Sequence, residues 1–231
     1  MFNINIQFYS IAIVTALLVN IIMVLIISKK SKNFNITEIN CLLLYENIGS
    51  ILGAKVLSFL INYSKFNGNF NFEKIGFLSY GAAIGGTIFI LLYCIQFKKS
   101  LKEIMAICLP SFPLMYSIGK VGCFLVGCCY GIEYNGIFKI MYKYSTNAPN
   151  NIYLFPVQLL ESIIFLIIYI YMMYNYNKNK LNLKTFGIFF IISSLSKFIM
   201  DFLRMSHNGI ISLNQVISLI VLLLGIVIFK K

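Results

Sequence analysis

The residues best placed to do chemistry lie in one stretch, Tyr116 to Gly131, which reads Y-S-I-G-K-V-G-C-F-L-V-G-C-C-Y-G. It sets Lys120, Cys123, Cys128 and Cys129 among Gly119, Gly122, Gly127 and Gly131. Glycine gives up packing area and costs backbone entropy, so this density implies a backbone that bends sharply or comes close to something bulky. A second basic group follows in Lys197, Asp201 and Arg204, whose spacing puts all three on one face of a helix. Lys120 and Arg204 each fall near the outer end of an apolar segment, and two cations at headgroup level suit a phosphate. The competing reading has Lys197 and Asp201 neutralising each other while Arg204 snorkels to the outer surface.

The thiols pose a separate question. Cys123, Cys128 and Cys129 form a C-x4-C-C group. Three thiolates are able to ligate zinc or an iron-sulfur cluster, but this spacing fits no common site, and the one histidine, His207, lies two spans away. No bound metal is expected from the spacing. Adjacent cysteines at a small-residue turn read instead as packing residues or a redox-sensitive pair.

The elements that must position these groups are membrane helices. The chain is 59% hydrophobic with only 11% charged residues, its mean hydropathy is +0.85, and apolar runs of roughly 18 or more residues recur. The formal net charge of +12 invites a nucleic-acid reading. The lysines, however, sit in short clusters between apolar runs, where the positive-inside rule puts them, so no nucleic acid is expected. Residues 1–231 read as a single membrane-embedded, all-α domain with about seven transmembrane helices.

The expected spans are about Phe8 to Ser28, Ile39 to Tyr63, Phe77 to Phe97, Ile104 into the glycine-rich stretch, Phe155-Pro156 to just before Lys178, Thr185 to Arg204, and Ile210 to Phe229. The first is too long for a signal-peptide core and lacks a basic start and a small-residue cleavage site, so it reads as a retained helix. Pro156 suits a helix start. A polar loop, Ile132 to Tyr153, follows the fourth span. Lys29, Lys30 and Lys32, then Lys98, Lys99 and Lys102, then Lys178, Lys180 and Lys184, then Lys230 and Lys231 fall on one side if the spans alternate. Lys65, Lys74, Lys120, Lys139 and Lys143 fall on the other. This predicts an outside amino terminus and a cytoplasmic carboxyl terminus. A charge at the bilayer centre costs about 2.5 to 3.5 kcal/mol on insertion scales, so Glu46, Lys55, Glu161, Lys197, Asp201 and Arg204 should face the bundle interior or an interface, in pairs.

The stretch from Gly119 to Gly131 resembles the signature of the prolipoprotein diacylglyceryl transferases of bacterial membranes, read there as G-R-I-G-N-F-I-N-G-E with a glycine three residues on. The variant G-C-F-L-x-G-C-C-Y-G resembles that of divergent members. Five further stretches match in the family's order. Gly53-Ala54-Lys55 is similar to its G-A-R, and Tyr80-Gly81 with Gly85-Gly86 to its H-G-G-x-x-G-G region. Phe155 to Glu161 is similar to its H-P-[ST]-Q-L-Y-E and Lys197 to Arg204 to its R-F-x-x-E-F-x-R, while Ile211 to Ser218 is similar to its I-S-x-G-Q-x-L-S.

The resemblance implies transfer of a diacylglyceryl group from phosphatidylglycerol to the lipobox cysteine thiol of a preprolipoprotein signal peptide. A thioether forms and glycerol phosphate leaves, with no cofactor, in a bacterial cell membrane. By match, Lys120 and Arg204 hold the phosphate, Gln158 and Glu161 orient the headgroup, and Tyr80 stands where the family commonly has histidine. Gly119, Gly122, Gly131 and Lys55 complete the implied substrate site.

This sequence also departs from the pattern. Lysine stands for arginine at 55, 120 and 197, a point charge where a planar fork would grip two phosphate oxygens. Cysteines replace the signature's first asparagine and its glutamate, and Val126 replaces its second asparagine. A tyrosine phenol, with an ordinary pKa near 10, is a poor base. Two rival readings follow: a related membrane transferase acting on another thiol or headgroup, and a non-catalytic lipid-binding or transport protein on the same scaffold.

Overall fold

The computed structural model describes residues 4–30, 33–61, 63, 76–206 and 211–231; Lys32, Lys65, Lys74 and His207 lie outside them. Eight helices appear among these residues: α1 (Ile4–Ser28), α2 (Ile36–Ile61), α3 (Ser79–Gln96), α4 (Leu101–Cys108), α5 (Phe112–Val126), α6 (Val157–Asn177), α7 (Leu183–Phe202) and α8 (Leu213–Lys230). Six are long and apolar enough to cross a membrane, or up to seven spans if α4 and α5, bent by 41°, form one. Ile11 on α1 is 59% exposed and Leu223 on α8 63% exposed, an apolar exterior that only lipid tolerates once the backbone is hydrogen-bonded internally. The protein is a multi-pass, all-helical membrane protein. Among the described residues, the addition to the expected helices lies in the polar loop, where β1 (Ile140–Met141) pairs antiparallel with β2 (Tyr153–Leu154).

By their internal contacts the residues form two compact units, Met1–Val24 with Ala106–Lys231, and Leu25–Met105. In the second, α2 and α3 cross at near-backbone contact. A Cβ on Gly53 would lie 2.7 Å from the Gly85 Cα, and one on Gly49 only 2.6 Å from the Gly85 carbonyl oxygen. Small residues let membrane helices approach this closely, because apolar side chains gain nothing over lipid. The two glycine-bearing stretches matched to the family therefore play a structural part as the two sides of one helix crossing. Beyond it, Tyr45 packs edge-on against Tyr93 and Phe89, and Lys99 pairs with Glu38 at 2.7 Å. Substituting Gly85 by valine should separate the pair and, at the usual cost of overpacking, lower stability by about 1 to 3 kcal/mol, read as the unfolding midpoint in detergent.

In the first unit the fourth span breaks at residues 109–111. Pro110 has no N–H to continue the helix, and fully buried Ser111 bridges the break, its hydroxyl lying 2.7 Å from both the Cys108 carbonyl and Asn20 Oδ1. After the break, α5 is locked to α6 by Ser117 and Ser162, whose hydroxyls lie 2.9 Å apart and each of which donates to the other's carbonyl. Gly122 lets α5 meet Ala12 of α1. Pro156 stands at the N-cap of α6 rather than inside its first turn. The start of α8 carries a capping box in which Ser212 and Gln215 satisfy each other's backbone N–H.

Candidate functional site

Backbone geometry explains why the glycine-rich stretch exists. α5 ends at Val126 because Gly127 takes the left-handed conformation (φ 73°), and the Cys128 N–H then returns to the Cys123 carbonyl at 3.0 Å. Past this turn the chain runs beside the end of α7. The Ile132 N–H donates to Leu203 O at 3.0 Å and the Met205 N–H to Tyr130 O at 3.2 Å, with Gly131 facing Arg204 across the pair. A Cβ on Gly131 would lie 3.0 Å from the Leu203 carbonyl and 3.2 Å from the Phe155 carbonyl carbon, so only glycine fits. This pairing corrects the single-face expectation for Lys197, Asp201 and Arg204. α7 stops at Phe202, and Arg204 lies in a turn that pairs with Gly131 of the signature loop.

Lys120, Glu161 and Arg204 meet there. Glu161, one turn into α6 and 1% exposed, sits between two cations. Lys120 Nζ on α5 lies 2.5 Å from Glu161 Oε2. The Arg204 guanidinium donates through one NH2 group to both carboxylate oxygens, at 2.7 and 2.8 Å. The Arg204 Nε is buried and has no hydrogen-bond partner among the described residues. Tyr116, at the start of the stretch, extends the cluster: Lys197 Nζ lies 3.1 Å from its hydroxyl, and Lys120 Nζ lies 5.3 Å from its ring centre. Asp201 is turned elsewhere, accepting from the Ser212 hydroxyl and, at 3.0 Å, from Asn214 Nδ2 at the start of α8.

The other expected residues divide between the two units. Gln158 is fully buried and donates to the Cys128 carbonyl at 2.8 Å, so it supports the loop backbone. At Gly119 a Cβ would meet nothing within 4 Å, so packing does not explain that glycine. Lys55 and Tyr80 belong to the second unit, on α2 and α3; both are buried, and Lys55 Nζ stands 4.4 Å from the Phe77 ring centre. Sequence reasoning missed Tyr116 and the Ser117–Ser162 lock. A hydroxyl one helical turn from an intramembrane lysine was the available signal.

Loop side chains finish the end of α5. Tyr142 donates to Phe124 O at 2.9 Å, while Ser145 and Asn147 donate to Val126 O at 3.0 and 3.2 Å. These satisfy carbonyls that a helix end leaves unpaired. Burial first, then the nearby Cys128 thiol, pushes the Tyr142 phenol up to about 12, so it remains a donor. At the turn itself the three cysteine sulfurs all lie within 4.8 Å of one another. Hydrogen bonds from Cys123 and Cys128, with Lys120 and Arg204 beyond them, hold the Cys129 thiol well below its usual range.

This arrangement can hold an anion and stabilise negative charge on a leaving group. Comparison with known proteins points the same way. The family model described as prolipoprotein diacylglyceryl transferase matches residues 1–230. A phosphatidylglycerol–prolipoprotein diacylglyceryl transferase of Clostridium tetani is 31% identical over 215 residues, covering 90% of this chain and 86% of the relative. The second such enzyme of Clostridium perfringens is 30% identical over 190 residues, covering 79% and 74%. That of Campylobacter hominis is 28% identical over 247 residues, covering 97% and 86%. With matches of this extent, the chain belongs to the prolipoprotein diacylglyceryl transferase family.

Proposed function

We propose that this protein transfers the diacylglyceryl group of phosphatidylglycerol to the lipobox cysteine thiol of preprolipoproteins in a bacterial cell membrane. The observation that carries the reading is the convergence of Lys120 and Arg204 on one buried carboxylate, with the Arg204 Nε still available as a donor. Two cations against one anion leave a positive surplus, which a phosphodiester monoanion neutralises. The phosphate binds beside Glu161 and takes donors from Lys120 and Arg204. As the glyceryl C–O bond breaks, its oxygen leaves on glycerol phosphate with a second negative charge, and the same cations stabilise it. Glu161 keeps both side chains extended into the site while no lipid is bound.

The deciding test is complementation of a strain depleted of its own diacylglyceryl transferase, with mass spectrometry of a reporter lipoprotein. Growth with a diacylglyceryl-modified reporter supports the reading. No transfer to any lipobox peptide, with lipid binding that depends on Lys120 and Arg204, replaces it with a binding protein on the same scaffold.

The orientation we propose puts the signature loop on the external side and the lysine clusters in the cytoplasm. A reporter fused after Lys231 or within Lys98 to Lys102 should read cytoplasmic, and one within Ile132 to Tyr153 external. Cytoplasmic signal from that loop would overturn the orientation.

A further inference from the structure

The three thiols play no part in the reaction as derived so far, yet the fold gathers them beside it. Cys123 sits in the last turn of α5, Gly127 reverses the chain in the left-handed conformation, and Cys129 is itself left-handed at φ 53°. A non-glycine residue in that conformation is uncommon, and here it turns the Cys129 side chain back toward Cys123. The result is three sulfurs mutually within 4.8 Å. Tetrahedral zinc, with bonds of about 2.3 Å to sulfur, needs its thiolates about 3.8 Å apart, so the trio closes on an ion with about 1 Å of movement. The loop backbone is held for it: Gln158 donates to Cys128 O at 2.8 Å and Tyr142 to Phe124 O at 2.9 Å.

Two basic residues stand near the trio. Three thiolates and a divalent zinc sum to one negative charge. Lys120 stands one helical turn before Cys123, and Arg204 pairs with Gly131 two residues after Cys129.

We propose that Cys123, Cys128 and Cys129 hold a zinc ion whose fourth position takes the thiol of the acceptor peptide. This rests on the transferase reading above and supplies what that reading lacks. An alkyl thiol with an ordinary pKa of about 8.5 is mostly protonated at neutral pH, and the tyrosine at position 80 is a poor base for it. A thiol bound to zinc loses its proton outright, with the proton released to water. The zinc-bound sulfur then attacks the glyceryl carbon that carries the phosphate ester. A C–S bond forms, the C–O bond breaks, and the bonding pair leaves on glycerol phosphate toward Lys120 and Arg204. Zinc keeps its oxidation state throughout, and the neutral thioether, a weaker ligand than a thiolate, departs.

The test uses the full chain purified in detergent under anaerobic, reducing conditions, with metal content, cobalt substitution and transfer measured on the same preparation. We expect about one zinc per chain and at least a tenfold loss of occupancy in Cys123→Ser and in Cys129→Ser. The cobalt-loaded wild type should change its thiolate charge-transfer bands on adding a lipobox peptide with cysteine and not with serine. Stripping the wild-type protein with a chelator should slow transfer about a hundredfold, within the range that a positioned proton acceptor contributes, and zinc should restore it. The wild-type arms stand even where a serine variant fails to fold. Transfer at full rate by metal-free protein, a disulfide joining two of the three cysteines, or a cobalt spectrum indifferent to the peptide each overturns the zinc site while leaving the transferase reading intact. Zinc bound and responsive to the peptide thiol, with no lipid transferred, supports the site and removes the transferase reading.

Discussion

Replacing Lys120 or Arg204 by alanine lowers thioether formation about a hundred- to a thousandfold, the loss that follows removal of one preorganised contact to developing charge, about 3 to 4 kcal/mol of barrier. Membrane insertion persists, because alanine in place of a charge makes a span more apolar. Lys120→Arg keeps or raises the rate, since a guanidinium grips two phosphate oxygens where an ammonium grips one. Lys98→Ala and Lys178→Ala leave the rate unchanged, as both belong to the lysine clusters expected on the cytoplasmic side; Lys178 bonds Tyr174 on an exposed surface. The measurement is a transfer assay with phosphatidylglycerol and a lipobox peptide, alongside a membrane-extraction control. Equal rates in Lys120→Ala and Lys98→Ala would remove the phosphate clamp from the mechanism.

The largest effect on stability belongs to Glu161. It is 1% exposed and is the carboxylate that both Lys120 and Arg204 contact. Removing one member of a buried ion pair leaves uncompensated charge and typically costs about 3 to 5 kcal/mol. Glu161→Gln should therefore lower the unfolding midpoint well below that of Glu161→Asp, which keeps the charge. Phosphatidylglycerol added to the detergent should raise the midpoint of Glu161→Gln more than that of the unsubstituted protein, because the lipid phosphate then supplies the missing anion. Equal lipid responses would show that the phosphate binds away from Glu161.

Much of this was legible in the sequence, and the exceptions have physical reasons. Each apolar run became a helix, because runs this long have no other stable state in lipid. Pro110, which lacks the N–H to continue a helix, stands at the break in the fourth span. The end of the sixth span was not legible: nothing local to Phe202 stops the helix, and the partner that captures Arg204 is the backbone of Gly131, far away in sequence. Lys120, Glu161 and Arg204 were each identifiable as costly intramembrane charges, but that one carboxylate serves both cations is a fact of packing. That the three thiols of C-x4-C-C come within 4.8 Å of one another was not legible, because two left-handed residues, Gly127 and Cys129, fold the spacing back on itself. Tyr116 passed as one more aromatic among apolar residues, since its hydroxyl finds its amine on α7.

The loop after α5 carries a pharmacological consequence. Tyr142, Ser145 and Asn147 grip the last carbonyls of α5, the helix that also bears Lys120 and Cys123. An antibody fragment or cyclic peptide that pulled these three side chains away would unpin the helix end and disarm the site without competing against lipid. With that loop external, as proposed above, such an inhibitor would be large and water-soluble, because its target is a polar loop and not a greasy cavity.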